Sequence, residues 1–367
     1  MSPKNKVLAF VQIPPPVHGV SVINKIVLGL LKSSNNIDFY FINSGYSTDL
    51  DDLGKKSFKK IFSFIRLYFQ FVFSIVKNRP DIVYISPMIW GVGFFRDFLF
   101  IKSASLFRVK ILIHLHGKGV KDRYNSKFLY RFFYPIFFKS LNVIHLSNGL
   151  LSSEVINLGF KINKSYFLPN CILDNLSPEN LFNYYENTNK FLFFSNIHPS
   201  KGIWDYLEIA KYFVNYDVKV DFYVMGNFRN QNVELEFNRK IISDNISNVK
   251  YLGAKFDSSK YEIFKSIDFL IHPTYNDAFP LVILESLSMG VPVISTFQGA
   301  IPEIINDGKN GFLLNEGDIS GFIFLIKNIV NGNINILDFK KQSLHSFDEN
   351  FKFEKFESKF SSIIEDL

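Results

Sequence analysis

Two carboxylates, Asp277 and Glu285, stand eight positions apart in the stretch YNDAFPLVILESLSMGVPVIS (275–295). A carboxylate accepts hydrogen bonds from hydroxyl groups in pairs, as the acidic residue of dinucleotide-binding folds does with a ribose diol. The alternative is that Asp277 caps a helix and Glu285 is a solvated helix residue. The ordered set of Asp, Pro, Glu, Gly and Pro favours a ligand rich in hydroxyl groups.

The residues around these carboxylates predict a strand, a helix and a second strand. DFLIHPT is typical of a strand, Pro280 suits the first turn of a helix, Gly290 suits the position just past its end, and Pro292 begins the next strand. The N–H groups of residues 279–282 are then free to bind an anion. Carboxylates that bind the hydroxyl groups of a sugar and a ribose, beside a helix end that binds a diphosphate, predict a nucleotide-sugar ligand.

The whole chain has the length and composition of a two-domain globular protein. It has 367 residues, of which 47% are hydrophobic and 20% charged. Its single cysteine, Cys171, excludes an intramolecular disulfide and suits a reducing cytosol. The apolar run at 61–76 contains Arg66 and Gln70 and is too short and polar to span a bilayer. KVLAFVQIPPP is not a cleavable signal. We therefore expect a cytosolic protein without transmembrane segments.

Charge and strand patterns divide the chain near residue 166. Residues 1–165 carry 23 Lys or Arg against 8 Asp or Glu, whereas residues 166–367 carry 18 against 26. In both halves short β-rich runs alternate with helical patterns, which predicts parallel sheets. We expect an α/β protein of two Rossmann-like, doubly wound domains that face each other across a cleft. The predicted bounds are 1–167 for the N-terminal domain, 168–190 for a linker, 191–345 for the C-terminal domain and 346–367 for a terminal helix.

The predicted strands have the following sequences. In the N-terminal domain they are KVLAFVQI, DFYFIN, DIVYIS, KILIHLH and NVIHLS, and in the C-terminal domain KFLFFSN, VDFYVMG, VKYLG, DFLIHPT and PVIS.

The chain resembles bacterial retaining glycosyltransferases of the GT-B type, glycosyltransferase family 4 (glycosyl transferases group 1). That family carries Glu-x7-Glu followed by small-x-Gly-x-Pro-Val; here the sequence has Asp277-x7-Glu285, then SLSMGVPVIS and GAIPEIINDGKNGFLL. The resemblance is strongest from 191 to 316. It implies that Glu285 binds the ribose hydroxyls, and that the transferred sugar and phosphates are held by Asp277, Ala278, Phe279, Pro280 and Leu281. Asp277 is one methylene shorter than the usual Glu, which bears on donor preference.

A second family element, Gly-Arg-x4-Lys-Gly, grips the diphosphate with two cations. Here FFSNIHPSKGI keeps Lys201 but has Asn196, which carries no charge, in place of Arg. His198, Lys118 and Arg123 are candidates to compensate, and the sequence leaves the choice open. PSKG alone is also an ordinary helix-start turn. The family match further implies that Gly226 and Gly253 line the base pocket.

In the N-terminal half, the resemblance points to Gly19 and His116. Gly19 in PPPVHGVS lies where the family has a glycine-rich loop beneath the phosphates, and as the only glycine there it predicts reduced backbone cradling. His116 in ILIHLHGKG matches the active-site histidine that contacts the donor sugar, although a structural role is the alternative. We interpret His114, two residues earlier, as a buried structural residue.

We expect no metal and no cofactor other than a UDP- or GDP-sugar as co-substrate. Lys201 and the helix end can stabilise the leaving nucleoside diphosphate. Asp49 and Asp51 in DLDD resemble a metal-binding pattern, but they stand in a Ser/Gly/Asp-rich loop, and we interpret them as a solvated turn.

The basic half of the chain is predicted to bind the acceptor. Its Lys and Arg residues interleave with aromatics, as in helices that lie on the anionic inner membrane face. The best cluster is Lys55, Lys56, Lys59, Lys60 and Arg66. The alternative is an ordinary solvated surface; nucleic acid is disfavoured because no recognised binding module is present.

The leading hypothesis is a hexosyltransferase-type, metal-independent enzyme. It would be peripheral on the inner membrane face and act with retention on a lipid-linked saccharide in assembly of O-antigen lipopolysaccharide or capsule. The alternatives are a nucleotide-sugar epimerase or hydrolase of GT-B fold, and a catalytically inactive GT-B partner protein. The sequence leaves the sugar, the base, the acceptor, the linkage and the oligomeric state open.

Overall fold

The computed structural model describes residues 4–45, 58–173, 189–255 and 259–367, the side chains of 58–60 excepted. These residues form two compact units. Unit 1 comprises the chain to Asn170 together with Glu354–Leu367, and unit 2 comprises Cys171–Phe353. The change of unit at Asn170 falls within the predicted linker, of which residues 174–188 lie outside the described residues.

Unit 1 is built on a parallel six-stranded sheet whose order is β2-β1-β3-β4-β5-β6. Its strands are β1 (Asn5–Val11), β2 (Ile37–Asn43), β3 (Ile82–Ile85), β4 (Lys110–Leu115), β5 (Asn142–His145) and β6 (Lys164–Phe167). Its helices are α1 (Gly19–Ser33), α2 (Phe58–Asn78), α3 (Gly91–Ser105), α4 (Val120–Ser126), α5 (Phe128–Phe138) and α6 (Asn148–Glu154).

Unit 2 repeats this architecture, with a parallel sheet in the order β12-β11-β10-β7-β8-β9. Its strands are β7 (Lys190–Phe194), β8 (Asp221–Met225), β9 (Val249–Tyr251), β10 (Phe269–His272), β11 (Val293–Thr296) and β12 (Gly311–Leu314). Its helices are α7 (Ile203–Tyr212), α8 (Gln231–Ser243), α9 (Ser259–Lys265), α10 (Leu281–Ser288), α11 (Ile301–Ile304), α12 (Ile319–Val330) and α13 (Ile336–Asn350). The α/β class and the two parallel-sheet domains are therefore confirmed.

Each unit has its own aromatic-rich core. In unit 1 the fully buried rings of Phe71 and Phe100 pack edge to face, with centroids 5.1 Å apart. In unit 2 Tyr206 of α7 packs against Phe222 of β8 at 5.5 Å. Such pairs add stabilisation beyond the burial of their area. Strands covered on both faces explain why the sequence runs are continuously apolar rather than alternating.

The terminal helix α14 (Phe353–Asp366) is shorter than the predicted 346–367, because residues up to Asn350 belong to α13 of unit 2. It packs on unit 1: the ring of Phe360 lies 5.9 Å from that of Tyr84, and the hydroxyl of Tyr166 donates to Asp366 at 2.6 Å. The buried residues Phe356, Phe360, Ile363 and Ile364 lie at helical spacing and form the buried face of this helix.

Candidate functional site

In unit 2, Asp277 lies in the loop between β10 and α10 and binds three side chains. Its Oδ1 is 2.5 Å from Lys201 Nζ, and its Oδ2 accepts hydrogen bonds from His272 Nε2 at 2.9 Å and Thr274 Oγ1 at 3.0 Å. Burial alone raises the pKa of this carboxyl, but the His272 hydrogen bond and the Lys201 charge outweigh it and hold the pKa well below its ordinary value. Asp277 is therefore a permanent carboxylate that fixes Lys201.

Lys201 is positioned by a tight turn that only glycine permits. It ends a 3₁₀ turn (Pro199–Lys201), and the next residue, Gly202, has a φ of +78°. A Cβ on Gly202 would lie 1.9 Å from the carbonyl oxygen of Pro273, so the turn packs directly against the end of β10. Lys201 Nζ also donates to the carbonyl oxygen of Asn276 at 3.0 Å. Gly202 thus allows the turn that carries Lys201 to approach the loop that carries Asp277.

Helix α10 begins at Leu281, so Pro280 is its N-cap and not, as the sequence predicts, a residue within its first turn. No side chain caps this end and no acidic residue stands in its first turn, which leaves the helix end suited to an anion. Gly290 follows the helix with a φ of +66°, as predicted, and β11 starts directly after Pro292.

The loop before the helix is held by close backbone packing. The carbonyl oxygen of Ala278 accepts from the N–H of Ala300 at 2.8 Å, and Phe279 is buried against Phe351.

Glu285, in the second turn of α10, forms an ion pair that the sequence did not suggest. Its Oε2 lies 3.4 Å from Nζ of Lys260 on α9, and the two side chains are only 17% and 10% exposed. Lys260 stands in SSKYEIFKSI, where its charge is typical of a solvated helix face. Nothing local to that pattern shows that the lysine is directed inward; only the packing of α9 does.

Asn196, Gly226 and Gly253 lie together at the carboxyl ends of β7, β8 and β9. Gly226 has a φ of +145°, and a Cβ on it would lie 1.8 Å from the carbonyl oxygen of Ser195. Its N–H donates to the carbonyl oxygen of Gly253 at 3.1 Å. Asn196 is exposed there.

A second residue that sequence reasoning missed, Arg229, is brought to this edge by backbone pairing. Its N–H donates to the carbonyl oxygen of Ile197 at 3.1 Å, and its Nη1 lies 3.2 Å from Nε2 of His198. Burial, then the charges of Arg229 and Lys201, lower the pKa of His198. His198, a candidate to compensate for Asn196, thus has the guanidinium of Arg229 beside it.

In unit 1, His116 follows β4 and belongs to a neutral polar cluster. Ser86 Oγ lies 3.4 Å from His116 Nε2 and donates to Asn24 Oδ1 at 2.6 Å. His114 is fully buried, as predicted, and its Nδ1 lies 2.8 Å from the hydroxyl of Tyr84.

The histidines of this cluster are neutral. Burial, then the neighbouring histidines His145 and His18, lower the pKa of His116 to about 3. His116 is consequently a neutral hydrogen-bonding group near pH 7.

The loops beside His116 are fixed by capping contacts. Gly19 is the first residue of α1, and His18 caps that helix by accepting from the N–H of Ser21 at 3.2 Å. After β4, the buried carboxylate of Glu154 accepts from the N–H groups of Gly119 and Lys121, each at 3.0 Å. These contacts fix the backbone of both loops.

The remaining sequence-predicted residues lie partly outside the described chain. Lys55, Lys56, Asp49 and Asp51 are outside it, as are the side chains of Lys59 and Lys60, whose backbone belongs to α2. Arg66 is exposed on α2. Within the described residues, no helix is both long and apolar enough to cross a bilayer. The same residues contain no group of three or more His, Cys, Asp or Glu placed to hold a metal ion.

Residues 188–331 match the family described as glycosyl transferases group 1. The chain is 26% identical over 187 residues to the capsular polysaccharide biosynthesis glycosyltransferase CapM of Staphylococcus aureus, covering 50% of this chain and 48% of CapM. It is 29% identical over 106 residues to N-acetyl-alpha-D-glucosaminyl L-malate synthase of Bacillus anthracis, covering 29% and 28% of the two chains. The chain thus spans less than half the length of these curated relatives.

Solved structures match the chain over almost its whole length. HepE of Anabaena, in complex with UDP and glucose, gives a TM-score of 0.74 at 15% identity over 98% of this chain and 99% of that one. The lipopolysaccharide outer core galactosyltransferase WaaB gives 0.71 at 14% identity over 99% and 100%. At such identities the agreement concerns the fold, which is the GT-B fold of glycosyltransferases.

Proposed function

Taking the group 1 glycosyltransferase match of residues 188–331 as the premise, we propose that the protein transfers a sugar from a UDP- or GDP-sugar to a saccharide acceptor. The observation that carries this proposal is the grouping of Lys201, Asp277 and the start of α10 at one end of the unit 2 sheet, with Glu285 in the second turn of the same helix. Ligands of doubly wound sheets bind at the carboxyl ends of the strands.

The role proposed for Lys201 and the helix end is to stabilise the leaving nucleoside diphosphate. Negative charge develops on the diphosphate as the glycosidic bond breaks, and fixed cations and N–H groups lower the energy of that state. Asp277 holds Lys201 by a 2.5 Å ion pair, which fixes the position of the ammonium. Arg229 adds a second cation on the neighbouring loop. We propose that these groups make the transfer independent of a metal ion.

The role proposed for His116 is to hold the transferred hexose by a hydrogen bond. A histidine whose pKa is about 3 stays neutral at physiological pH, so it acts as a donor or acceptor rather than as a proton source. We further propose retention of the anomeric configuration, on the sequence resemblance alone.

The acceptor is proposed to be lipid-linked, with the protein peripheral on an anionic inner membrane face. Helix α2 exposes a row of apolar side chains at helical spacing, among them Ile61 (58% exposed), Phe62 (71%), Phe69 (67%) and Phe73 (64%). Exposed aromatics beside basic residues such as Arg66 give the two signals that stable peripheral binding needs. The similarity to a capsular polysaccharide glycosyltransferase supports a place in surface polysaccharide assembly, capsule or O-antigen.

A vesicle experiment tests the membrane proposal. The double variant Phe62→Glu/Phe69→Glu should no longer sediment with vesicles of anionic phospholipid, whereas wild type binds at low salt and is released as salt rises. The matched control is Leu235→Glu/Ile242→Glu, which places two glutamates on exposed apolar sites of α8 in the other unit. Equal sedimentation of both double variants and the wild type would contradict the proposal.

An activity screen tests the reaction itself. A panel of UDP- and GDP-sugars is incubated with the protein, with and without membrane extract, in the presence of EDTA. Transfer of label to extract lipid, unaffected by EDTA, is the expected result. Release of free sugar or an epimer at the same rate without extract would instead favour an epimerase or hydrolase. No turnover of any donor would favour an inactive partner protein.

A further inference from the structure

We infer that Lys260 both positions Glu285 and donates to the ribose, and so makes donor binding depend on the ribose hydroxyls; the inference rests on the proposed function. Lys260 comes from α9 and Glu285 from α10, and their charged atoms lie 3.4 Å apart with both side chains largely buried. The ammonium also lies 4.8 Å from the centroid of the Tyr261 ring, a second contact that fixes its position. The pair therefore ties the two helices together beside the proposed ribose site.

Burial makes the opposite charge important to each member of this pair. A carboxylate or an ammonium removed from water is costly unless an opposite charge lies beside it. With Lys260 in place, the Glu285 carboxylate has an opposite charge beside it and is directed toward α9. Without Lys260, the Glu285 carboxylate loses this opposite charge and its orientation toward α9, and is no longer an oriented acceptor.

The two groups also complement a hydroxyl chemically. An ionised carboxylate only accepts hydrogen bonds and an ammonium only donates them, whereas a hydroxyl does both. A ribose hydroxyl that donates to Glu285 still has lone pairs that can accept from Lys260. A nucleotide that lacks the 2′-hydroxyl leaves this donor and acceptor set unmatched, so the pair discriminates ribose from deoxyribose.

The test measures the binding of UDP, GDP and their 2′-deoxy counterparts by titration calorimetry. For whichever base the wild type binds, we expect about tenfold or greater preference for the ribonucleotide, the scale of a hydrogen bond to a charged group. In Lys260→Met this preference should fall to about twofold or less, with weaker binding of the ribonucleotide. Lys260→Arg, which keeps the charge, should restore most of it.

The matched control is Lys265→Met on the same helix. Lys265 pairs with Glu262 at 2.6 Å, but both side chains are more than half exposed, so this variant should bind like the wild type. If Lys260→Met keeps both the affinity and the ribose preference of the wild type, the inference is wrong while the proposed function stands. If the wild type binds neither UDP nor GDP, the proposed function itself fails, and the inference with it.

Discussion

The two units place different chemistry at the ends of very similar sheets. In unit 1 the strand ends carry neutral groups, His116 and His114, bonded to Ser86 and Tyr84. In unit 2 they carry ion pairs, Lys201 with Asp277 and, one helix away, Lys260 with Glu285. A charged array suits a diphosphate and a ribose, whereas neutral imidazoles suit hydroxyl groups. Under the proposed function, the same backbone architecture would serve two kinds of ligand, because a few residues set the charge.

The largest effect on activity is expected from the loss of the Lys201 side chain in unit 2. Lys201→Ala removes a fixed charge from the leaving group, and by analogy with the loss of a preorganised donor the turnover should fall about 100- to 1,000-fold. Steady-state rates with the preferred donor measure this. The control is Lys211→Ala, a lysine of the same unit paired with Asp244 on the exposed surface. Equal turnover rates for Lys201→Ala and Lys211→Ala would show that Lys201 does not stabilise the leaving group.

A large effect on stability is expected at the carboxylate that holds Lys201. Asp277→Asn leaves a partly buried ammonium without its counter-charge, and the free energy of unfolding should fall by about 3 kcal/mol, the scale for one partner of a buried pair. Denaturant unfolding measures the change, with Asp244→Asn as the exposed counterpart. If Asp277→Asn is as stable as Asp244→Asn, Asp277 is not the structural anchor described above.

Lowering the pH should destabilise unit 1 more than unit 2. The pKa values of His116 and His145 are lowered from 6.5 to about 3, chiefly by burial. The unfolded chain therefore binds protons that the folded unit 1 excludes, and stability is lost as pH falls from about 6.5 towards 3, by about 1.4 kcal/mol per pH unit for each histidine. The lowered pKa of Asp277 acts in the same direction, but only below its ordinary value of 3.8.

Hydrogen exchange at about pH 5 and pH 7, corrected for intrinsic rates, measures this difference. Peptides from β4 and β5 should lose protection at the lower pH, and peptides from β10 should lose less. Uniform loss in both sheets, or none in either, would contradict the assignment of neutral buried histidines.

The sequence predicted the central strands well because they are buried on both faces and consist of continuous apolar runs, such as DIVYIS and DFLIHPT. It missed two edge strands: β6 (KSYF), none of whose residues is fully buried, and β12 (GFLL), in which only Gly311 is buried.

The candidate site was predicted in part. Lys201, Asp277 and Glu285 each belong to a motif, but the pairing of Lys201 with Asp277 depends on the approach of Gly202 to Pro273, which no local pattern encodes. Lys260 and Arg229 belong to no motif and are recognised only from their neighbours in space.

The central claim is that unit 2 binds a nucleoside diphosphate through Glu285 and the start of α10. Calorimetric titration of wild type and Glu285→Gln with UDP and GDP tests it most directly, with Glu262→Gln on the exposed face of α9 as control. We expect wild type and control to bind one of the two nucleotides with equal affinity. Glu285→Gln should bind it about 1–3 kcal/mol more weakly, since it loses the charge that accepts two hydroxyl protons. Unchanged affinity in a folded Glu285→Gln variant would contradict the claim.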